Sequence, residues 1–259
     1  MFWRIFKKYQ KLNCMKVVAS IEARMGSSRL PGKVLKTFGE ETALSLLLKR
    51  LKKSKYLDDI IVSTTTESRD DIICNWCLGN NIQFFRGDEK DVLDRVVKSH
   101  EKMKSDLVVE ITGDCPFTDP KIIDLGIKTF IKKDVDIVTN CGNNLSWPIG
   151  MYVQVFPLNK LKWVNENISD PYVHEHVSIY FYENTKKYKI HEIFAPKNLS
   201  FPNIRMVLDY EEDYIFLNKL FDILKLEHGL FFSLEDIMKV LNKYPEFLDI
   251  NKHCIERKI

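Results

Sequence analysis

Apolar and polar positions in the first half of the chain alternate between two periods. Short runs rich in β-branched residues predict strands at Lys16–Glu22, Ile60–Thr64, Ile82–Arg86, Leu107–Thr112 and Ile137–Asn140. Between them, apolar residues at helical spacing predict helices over Glu41–Lys53, Ser68–Asn80, Asp91–Lys104 and Pro120–Lys133. Asp91 and Pro120 stand where helix starts are expected. This alternation predicts an α/β fold, a parallel sheet covered by helices on both faces. The pattern changes after Asn140. A loop over Cys141–Ile149 leads to a strand at Met151–Phe156, a helix over Pro171–Asn184 and a strand at Lys189–Phe194. Ile204–Asp209 reads as a further apolar strand ending in a carboxylate. Helices over Glu211–Lys225 and Ser233–Lys243 close the chain, the second with Ser233 as N-cap and Asp236 at its third position. The second half reads as an insertion or extension on the same sheet.

Composition narrows this little. A chain of 259 residues suits one large α/β domain, and 45% hydrophobic residues can fill its core. The formal charge is only +3, from 39 basic and 36 acidic side chains, which gives no argument for nucleic acid or membrane binding. No run of 18 apolar residues suggests a transmembrane helix. Met1–Cys14 is basic and aromatic but lacks the apolar core of a signal peptide, so it reads as an extension, frayed or packed as a short helix. Six cysteines stand at 14, 74, 77, 115, 141 and 254, and reduced thiols in the cytoplasm are expected. Cys74 and Cys77 form a lone C-x-x-C within a helical pattern, a poor context for zinc or redox chemistry.

Candidate chemistry gathers where the predicted strands end, which is where open α/β sheets bind ligands. Glu22-Ala23-Arg24-Met25-Gly26-Ser27-Ser28-Arg29-Leu30-Pro31-Gly32-Lys33 follows the first strand. Its small residues allow close backbone approach, and Arg24, Arg29 and Lys33 supply the charge a triphosphate needs. The spacing is neither that of a P-loop nor that of a dinucleotide fold. Ser63-Thr64-Thr65, Arg86-Gly87 and Thr112-Gly113-Asp114 follow later strands. Asp114 and Asp209 are the acids placed to hold Mg²⁺ against phosphate. The plainer alternatives are an Asx-turn before Pro116 for Asp114 and a helix N-cap for Asp209.

The opening string resembles the nucleotide-binding signature of cytidylyltransferases that activate acidic sugars. These are the spore-coat polysaccharide protein F, acylneuraminate and 3-deoxy-manno-octulosonate groups. Its wording is nearest to I-Q-A-R-M-G-S-T-R-L-P-G-K-V-L, with Glu22 where Gln is usual and Ser28 where Thr is usual. Ile111-Thr112-Gly113-Asp114-Cys115-Pro116, Leu208-Asp209-Tyr210-Glu211-Glu212-Asp213, Asp91-Val92-Leu93-Asp94-Arg95 and His174-Glu175-His176-Val177 resemble further motifs in the same order, from about Lys16 to Ile250. The resemblance implies a three-layer α/β/α Rossmann-like nucleotide-diphospho-sugar transferase fold, mostly parallel, with a later β-rich insertion. It implies one domain over 16–250 with an acceptor and dimerisation insertion at about 141–204, an extension at 1–15 and a tail at 251–259.

It further implies transfer of CMP from CTP to a sugar or sugar-phosphate acceptor, with Mg²⁺ on Asp114 and Asp209 and pyrophosphate as the leaving group. Arg24, Lys33, Asp114 and Asp209 would be catalytic. Ala23, Arg24, Gly26, Ser27, Ser28, Arg29, Lys33, Ser63, Thr64, Thr65, Arg86, Gly87, Thr112 and Gly113 would bind nucleotide. Asp91, Asp94, Arg95, Gln154, Glu175 and His176 would face the acceptor. One segment departs: P-D-G-L-D-V-E-V-F, whose acids face the acceptor, here reads Pro148-Ile149-Gly150-Met151-Tyr152-Val153-Gln154-Val155-Phe156. With Ile149, Tyr152 and Gln154 in place of acids, the expectation is a less acidic pocket suited to a phosphate-bearing or more apolar acceptor. The alternatives are another nucleotide such as GTP, a non-catalytic relative, or a glycosyltransferase of related topology. The last would need a D-x-D after a central strand, whereas Asp134-Val135-Asp136 precedes one. The resemblance leaves a homodimer open, with the aromatic run from Tyr172 to Tyr182 either a candidate interface or ordinary core.

Overall fold

The computed structural model describes residues 15–142 and 145–255. The expected extension, including Cys14, lies outside them apart from Met15. So do loop residues Asn143 and Asn144 and the last residues of the tail. Strands β1 (Val17–Glu22), β4 (Asp59–Thr65), β5 (Gln83–Gly87), β6 (Leu107–Thr112), β7 (Ile137–Thr139), β8 (Gln154–Pro157) and β9 (Ile190–Glu192) form one seven-stranded sheet. Its order is β5-β4-β1-β6-β8-β7-β9, parallel except for β8. A small antiparallel ribbon, β2 (Thr37–Phe38) with β3 (Glu41–Thr42), leads into α1 (Ala43–Leu51), which Thr42 caps through Ser45 N. Helices α2 (Asp71–Gly79), α3 (Val92–Met103) and α4 (Pro120–Lys132) follow their strands.

Strand alternation sorts the two faces. Val17, Ala19, Ile21, Val109 and Ile111 point into the larger core, with α1, α4 and the closing helices α8 (Glu211–His228) and α9 (Leu234–Lys243). Val108 and Phe156 point into a second core with α3, α5 (Leu158–Asn167), α6 (Pro171–Glu175) and α7 (Ile179–Glu183). The chain therefore has helices on both faces. Among the described residues, no helix is long and apolar enough to cross a membrane. Ser233 and Asp236 close a reciprocal capping box at the start of α9, as the spacing predicts. Cys74 and Cys77 lie buried in α2. Burial and Cys74 push the Cys77 thiol up to about 12, so it stays protonated and unreactive.

The structure corrects four expectations. Ile204–Asp209 forms no strand; only Arg205 bridges, to Ile149, and the segment crosses the sheet's end as extended chain. Pro171–Asn184 is not one helix, because Val177 adopts a left-handed backbone (φ 44°) between α6 and α7. The strand expected at Met151–Phe156 starts only at Gln154. Helix α5 was not read from the sequence, since only Leu158, Leu161 and Val164 mark its buried side among Asn and Lys.

Arg50 fastens the closing helices to the sheet. Its guanidinium is fully buried, stacks 4.1 Å from Phe232, and donates to the carbonyls of Phe117, Thr118, Leu230 and Phe232 at 2.8–3.2 Å. Burial pushes it down to about 10, still charged at neutral pH. Arg50→Met would strand those carbonyls and should lower unfolding free energy by about 3 kcal/mol, read by urea denaturation. A loss below about 1 kcal/mol would show that the carbonyls find other partners.

Candidate active site

The chain turns from one side of β1 to the other between β5 and β6, so β1 and β6 lie side by side and their C-terminal ends share one edge. After β1 the backbone folds back on itself. Ser27 N and Gly32 N both donate to Met25 O, at 2.9 and 3.1 Å, and Gly32 takes a left-handed φ of 70° that favours glycine. A 3₁₀ turn over Lys33–Leu35 follows and directs Lys33 to the ends of β1 and β6. After β6, Gly113 packs so closely on β1 that a Cβ there would sit 2.7 Å from Glu22 O, and Gly113 N donates to that oxygen at 2.9 Å. Asp114 follows.

Lys33 joins the two acids the sequence singles out. Its Nζ lies 2.5 Å from Asp114 Oδ2 and 2.9 Å from Asp209 Oδ1. Arg29 Nη2 reaches the same Asp209 oxygen at 3.0 Å, and its guanidinium lies 4.9 Å from the centre of the Tyr210 ring. Asp209 is not the helix N-cap; that position is Tyr210. A buried clamp positions it instead. Asp213 accepts from Asp209 N and Tyr210 N, pairs with Arg205 through both carboxylate oxygens, and accepts from Asn251 Nδ2 at 2.9 Å. Asp114 likewise is no turn cap: its carboxylate takes Lys33 and, at 3.6 Å, the Cys115 thiol.

Charge follows this geometry. Burial alone would push the Asp114 carboxyl up, but Lys33 and hydrogen bonds from Lys33, Thr112 and Cys115 hold it below the ordinary aspartate value. Burial would lower the Lys33 ammonium, and the two carboxylates instead hold it above the usual lysine range. Two carboxylates within reach of one cationic point are a donor set that fits Mg²⁺, with phosphate oxygens completing the shell.

Other expected residues fall around this centre or outside it. Arg24 is half-exposed and pairs with Glu89 at 3.2 Å; Arg69, also on Glu89, covers Gly26. Ser27 Oγ accepts from Leu30 N, while Ser28 and Thr112 are exposed and Ala23 is buried. Ser63, Thr64 and Thr65, expected at the nucleotide, are wholly buried. Ser63 bonds Ser99, and Thr65 bonds Asp70, whose other oxygen holds Met25 N. Arg86 is likewise engaged, tying Thr65 O, Glu67 O and Asp71 behind the site. Gly87 lies against Arg95.

Asp91 caps α3 and faces His174, whose ring nitrogens lie 2.7 Å from Asp91 Oδ1 and from Ile168 O. Burial opposes the His174 charge, but these two acceptors raise its affinity for a proton. Asp94 bonds Asn165 and Lys98, while Glu175 is exposed and His176 stacks edge-on against Tyr172. Asp91 and His174 line a cavity of about 530 Å³ with Lys90, Asn165 and Pro171.

The residues of the substituted segment fall into two places. Ile149 and Tyr152 pack with Cys115 and Val207 as a small apolar wall beside Asp114. Gln154, however, lies opposite Glu110 across the β6–β8 ladder, and Glu22 shares its face. That face of the sheet therefore carries two carboxyls from other strands. Reading the sequence missed Glu110, Arg205, Asp213 and Asn251. The acid after Val109 interrupts an apolar strand, a legible anomaly; the clamp joins residues too far apart in the chain to show.

A family model described as cytidylyltransferase matches residues 18–244. The chain belongs to the cytidylyltransferase family. It is thus an enzyme of nucleotidyl transfer. An uncharacterized protein of Methanocaldococcus jannaschii is 36% identical over 94% of this chain and 97% of its own. The spore coat polysaccharide biosynthesis protein SpsF of Bacillus subtilis is 32% identical over 87% of this chain and 94% of its own. The solved structure of a cytidylyltransferase from Leptospira borgpetersenii superposes with a TM-score of 0.84 at 33% identity, over 95% of this chain and 99% of that one.

The centre makes a prediction that does not depend on turnover. Lys33→Met removes the charge that opposes burial, so Asp114 should titrate above the ordinary aspartate value, read by carboxyl ¹³C NMR. The sign follows from the depressed value in the wild type. The pair's contribution to stability is present above the unfolded aspartate range and is lost as pH falls through the lower folded value. An Asp114 titration unchanged in Lys33→Met would refute the coupling.

Proposed function

We propose that this cytidylyltransferase transfers CMP from CTP to a sugar or sugar-phosphate acceptor, releases pyrophosphate and supplies an activated sugar for surface polysaccharide or glycoconjugate synthesis. The convergence of Lys33 and Arg29 with Asp114 and Asp209 at one sheet edge carries this reading. The similarity to SpsF supports the polysaccharide role. An acceptor oxygen attacks the α-phosphorus in line; the new P–O bond forms as the bond to the bridging oxygen of the pyrophosphate breaks. Lys33, Arg29 and Arg24 hold the β- and γ-phosphates and offset the charge that collects on the leaving group. Lys33 changes partners in the process, exchanging carboxylate for phosphate. Asp114 and Asp209 would hold Mg²⁺. When bound, that ion would offset negative charge on the α-phosphate oxygens and orient them. The Asp213 clamp keeps Asp209 aimed during this exchange, and the Ile149–Tyr152 wall limits water beside Asp114.

Pyrophosphate release is to be measured with CTP, GTP, UTP and ATP against a panel of sugars and sugar phosphates. Turnover is expected with CTP, and preference for another nucleotide would overturn the cytidylyl assignment. Asp114→Ala should lose at least about 10²-fold in kcat while keeping its fold by circular dichroism. Retention of more than about a tenth of wild-type activity would sink its metal role.

A further inference from the structure

Pairing of β1 with β6 places Ser20 opposite Glu110 and Glu22 opposite Thr112. Alternation then puts Ser20, Glu22 and Glu110 on one face, with Gln154 opposite Glu110 on β8. They end directly beside Gly113, one residue before Asp114. Two carboxyls on adjacent strands of a sheet core are costly unless something compensates them. Burial pushes the Glu110 carboxyl up to about 8, against a hydrogen bond from Ser178. Burial and then Glu110 push Glu22 well above the usual range, against Ser20 and the Arg95 guanidinium. Burial thus favours the protonated form of both carboxyls, and Arg95 stands near Glu22.

Protonation does not settle the hydrogen bonds. Glu110 Oε2 is buried and has no partner among the described residues. Arg95 is only 2% exposed, and its Nε has no partner there either, while its Nη1 is spent on Asp88 O at 2.6 Å. A buried acceptor and a buried donor thus stand unfilled on the same face, an uncommon arrangement in folded proteins. Gln154 adds a third feature. Its amide oxygen is bonded by the Ser178 hydroxyl at 2.9 Å and by the Tyr182 hydroxyl, and its NH₂ is a donor on the same side chain. Relative to the family wording given above, acid and amide have traded places: Glu22 stands for Gln, and Gln154 stands for Glu.

We propose that Glu22, Glu110 and Gln154 form the specificity floor of the acceptor pocket, and that the acceptor presents to Glu110 a non-anionic substituent that donates hydrogen bonds, an amine or a hydroxyl. The inference rests on the nucleotidyl-transfer reading above and names the acceptor chemistry it left open. A hydroxyl donates to Glu110 and accepts from Gln154 or Arg95, whereas a protonated amine only donates. An amine gains more, because its positive charge lets both carboxyls ionise. A carboxylate or phosphate adds negative charge to a face where burial already disfavours the ionisation of two carboxyls, so the phosphate-bearing end of any acceptor lies elsewhere.

The test uses the full chain loaded with a non-hydrolysable CTP analogue and Mg²⁺, whose binding is measured first. Failure of that binding would count against the nucleotidyl reading itself. Three hexoses that differ only at carbon 6 then probe the floor by ligand-observed NMR: 6-amino-6-deoxyglucose, glucose and glucuronic acid. The amine and the hydroxyl are expected to bind at least about tenfold tighter than the carboxylate. Glu110→Gln should level the three, and Glu110→Lys should reverse the order, both with CTP-analogue affinity kept. In turnover with any accepted sugar, Glu110→Gln should raise the acceptor KM and leave kcat within about threefold, as expected for a binding contact. Intact CTP-analogue binding combined with glucuronic acid binding as tightly as glucose, with none of the three binding, or with an unchanged order in Glu110→Lys would overturn the inference and leave the nucleotidyl reading standing.

Discussion

The ammonium of Lys33 between Asp114 and Asp209 is the interaction around which the catalytic edge is organised. Two carboxylates brought together at the end of a buried sheet repel each other and resist ionisation. One lysine removes both difficulties, and much nearby structure exists to place it. The left-handed Gly32 turns the chain, the 3₁₀ turn aims the side chain, and Gly113 lets β6 end close enough against β1. Asp209 comes from a segment without sheet partners beyond one bridge, so a separate clamp of Arg205, Asp213 and Asn251 must hold it. The resting site is internally neutralised. On the proposed function, binding of a metal–triphosphate would be a swap of ionic partners, in which little new charge is buried.

Strands β1 and β6 contribute in two ways. Their ends carry the Lys33 loop and Asp114, and their side chains on one face place Glu22 and Glu110 together, as the floor proposed for the acceptor. The antiparallel β8 completes that floor by laying Gln154 beside Glu110. Reading β8 alone therefore leaves out the carboxyls that its neighbours place on the same face.

Much of the architecture was legible because strand and helix periods differ so clearly in the first half. Four predicted helices and five predicted strands there are present, their ends displaced by at most three residues. Ile204–Leu208 misled because an apolar run buried at the end of a sheet looks like a strand whether or not it has hydrogen-bonding neighbours. Val177 misled because a β-branched residue rarely takes a left-handed backbone, so the break between α6 and α7 has no local marker. Of the site, Lys33, Asp114 and Asp209 were legible through charge at strand ends and motif wording. Ser63 and Thr65 carry the right chemistry but face inward, and Glu110 matters only through pairing with β1 and β8, which no single stretch of sequence displays.

Arg50 and Asn251 have a bearing on how the molecule comes into being. Asp114 emerges in the first half of synthesis, but the carbonyls of Leu230 and Phe232 that Arg50 needs, and the Asn251 that braces Asp213, emerge close to the end. A partly made chain can pair β1 with β6 and still lack an aligned second carboxylate. The geometry for phosphoryl chemistry is thereby withheld until the closing helices have docked, so assembly of the fold and onset of activity become a single event.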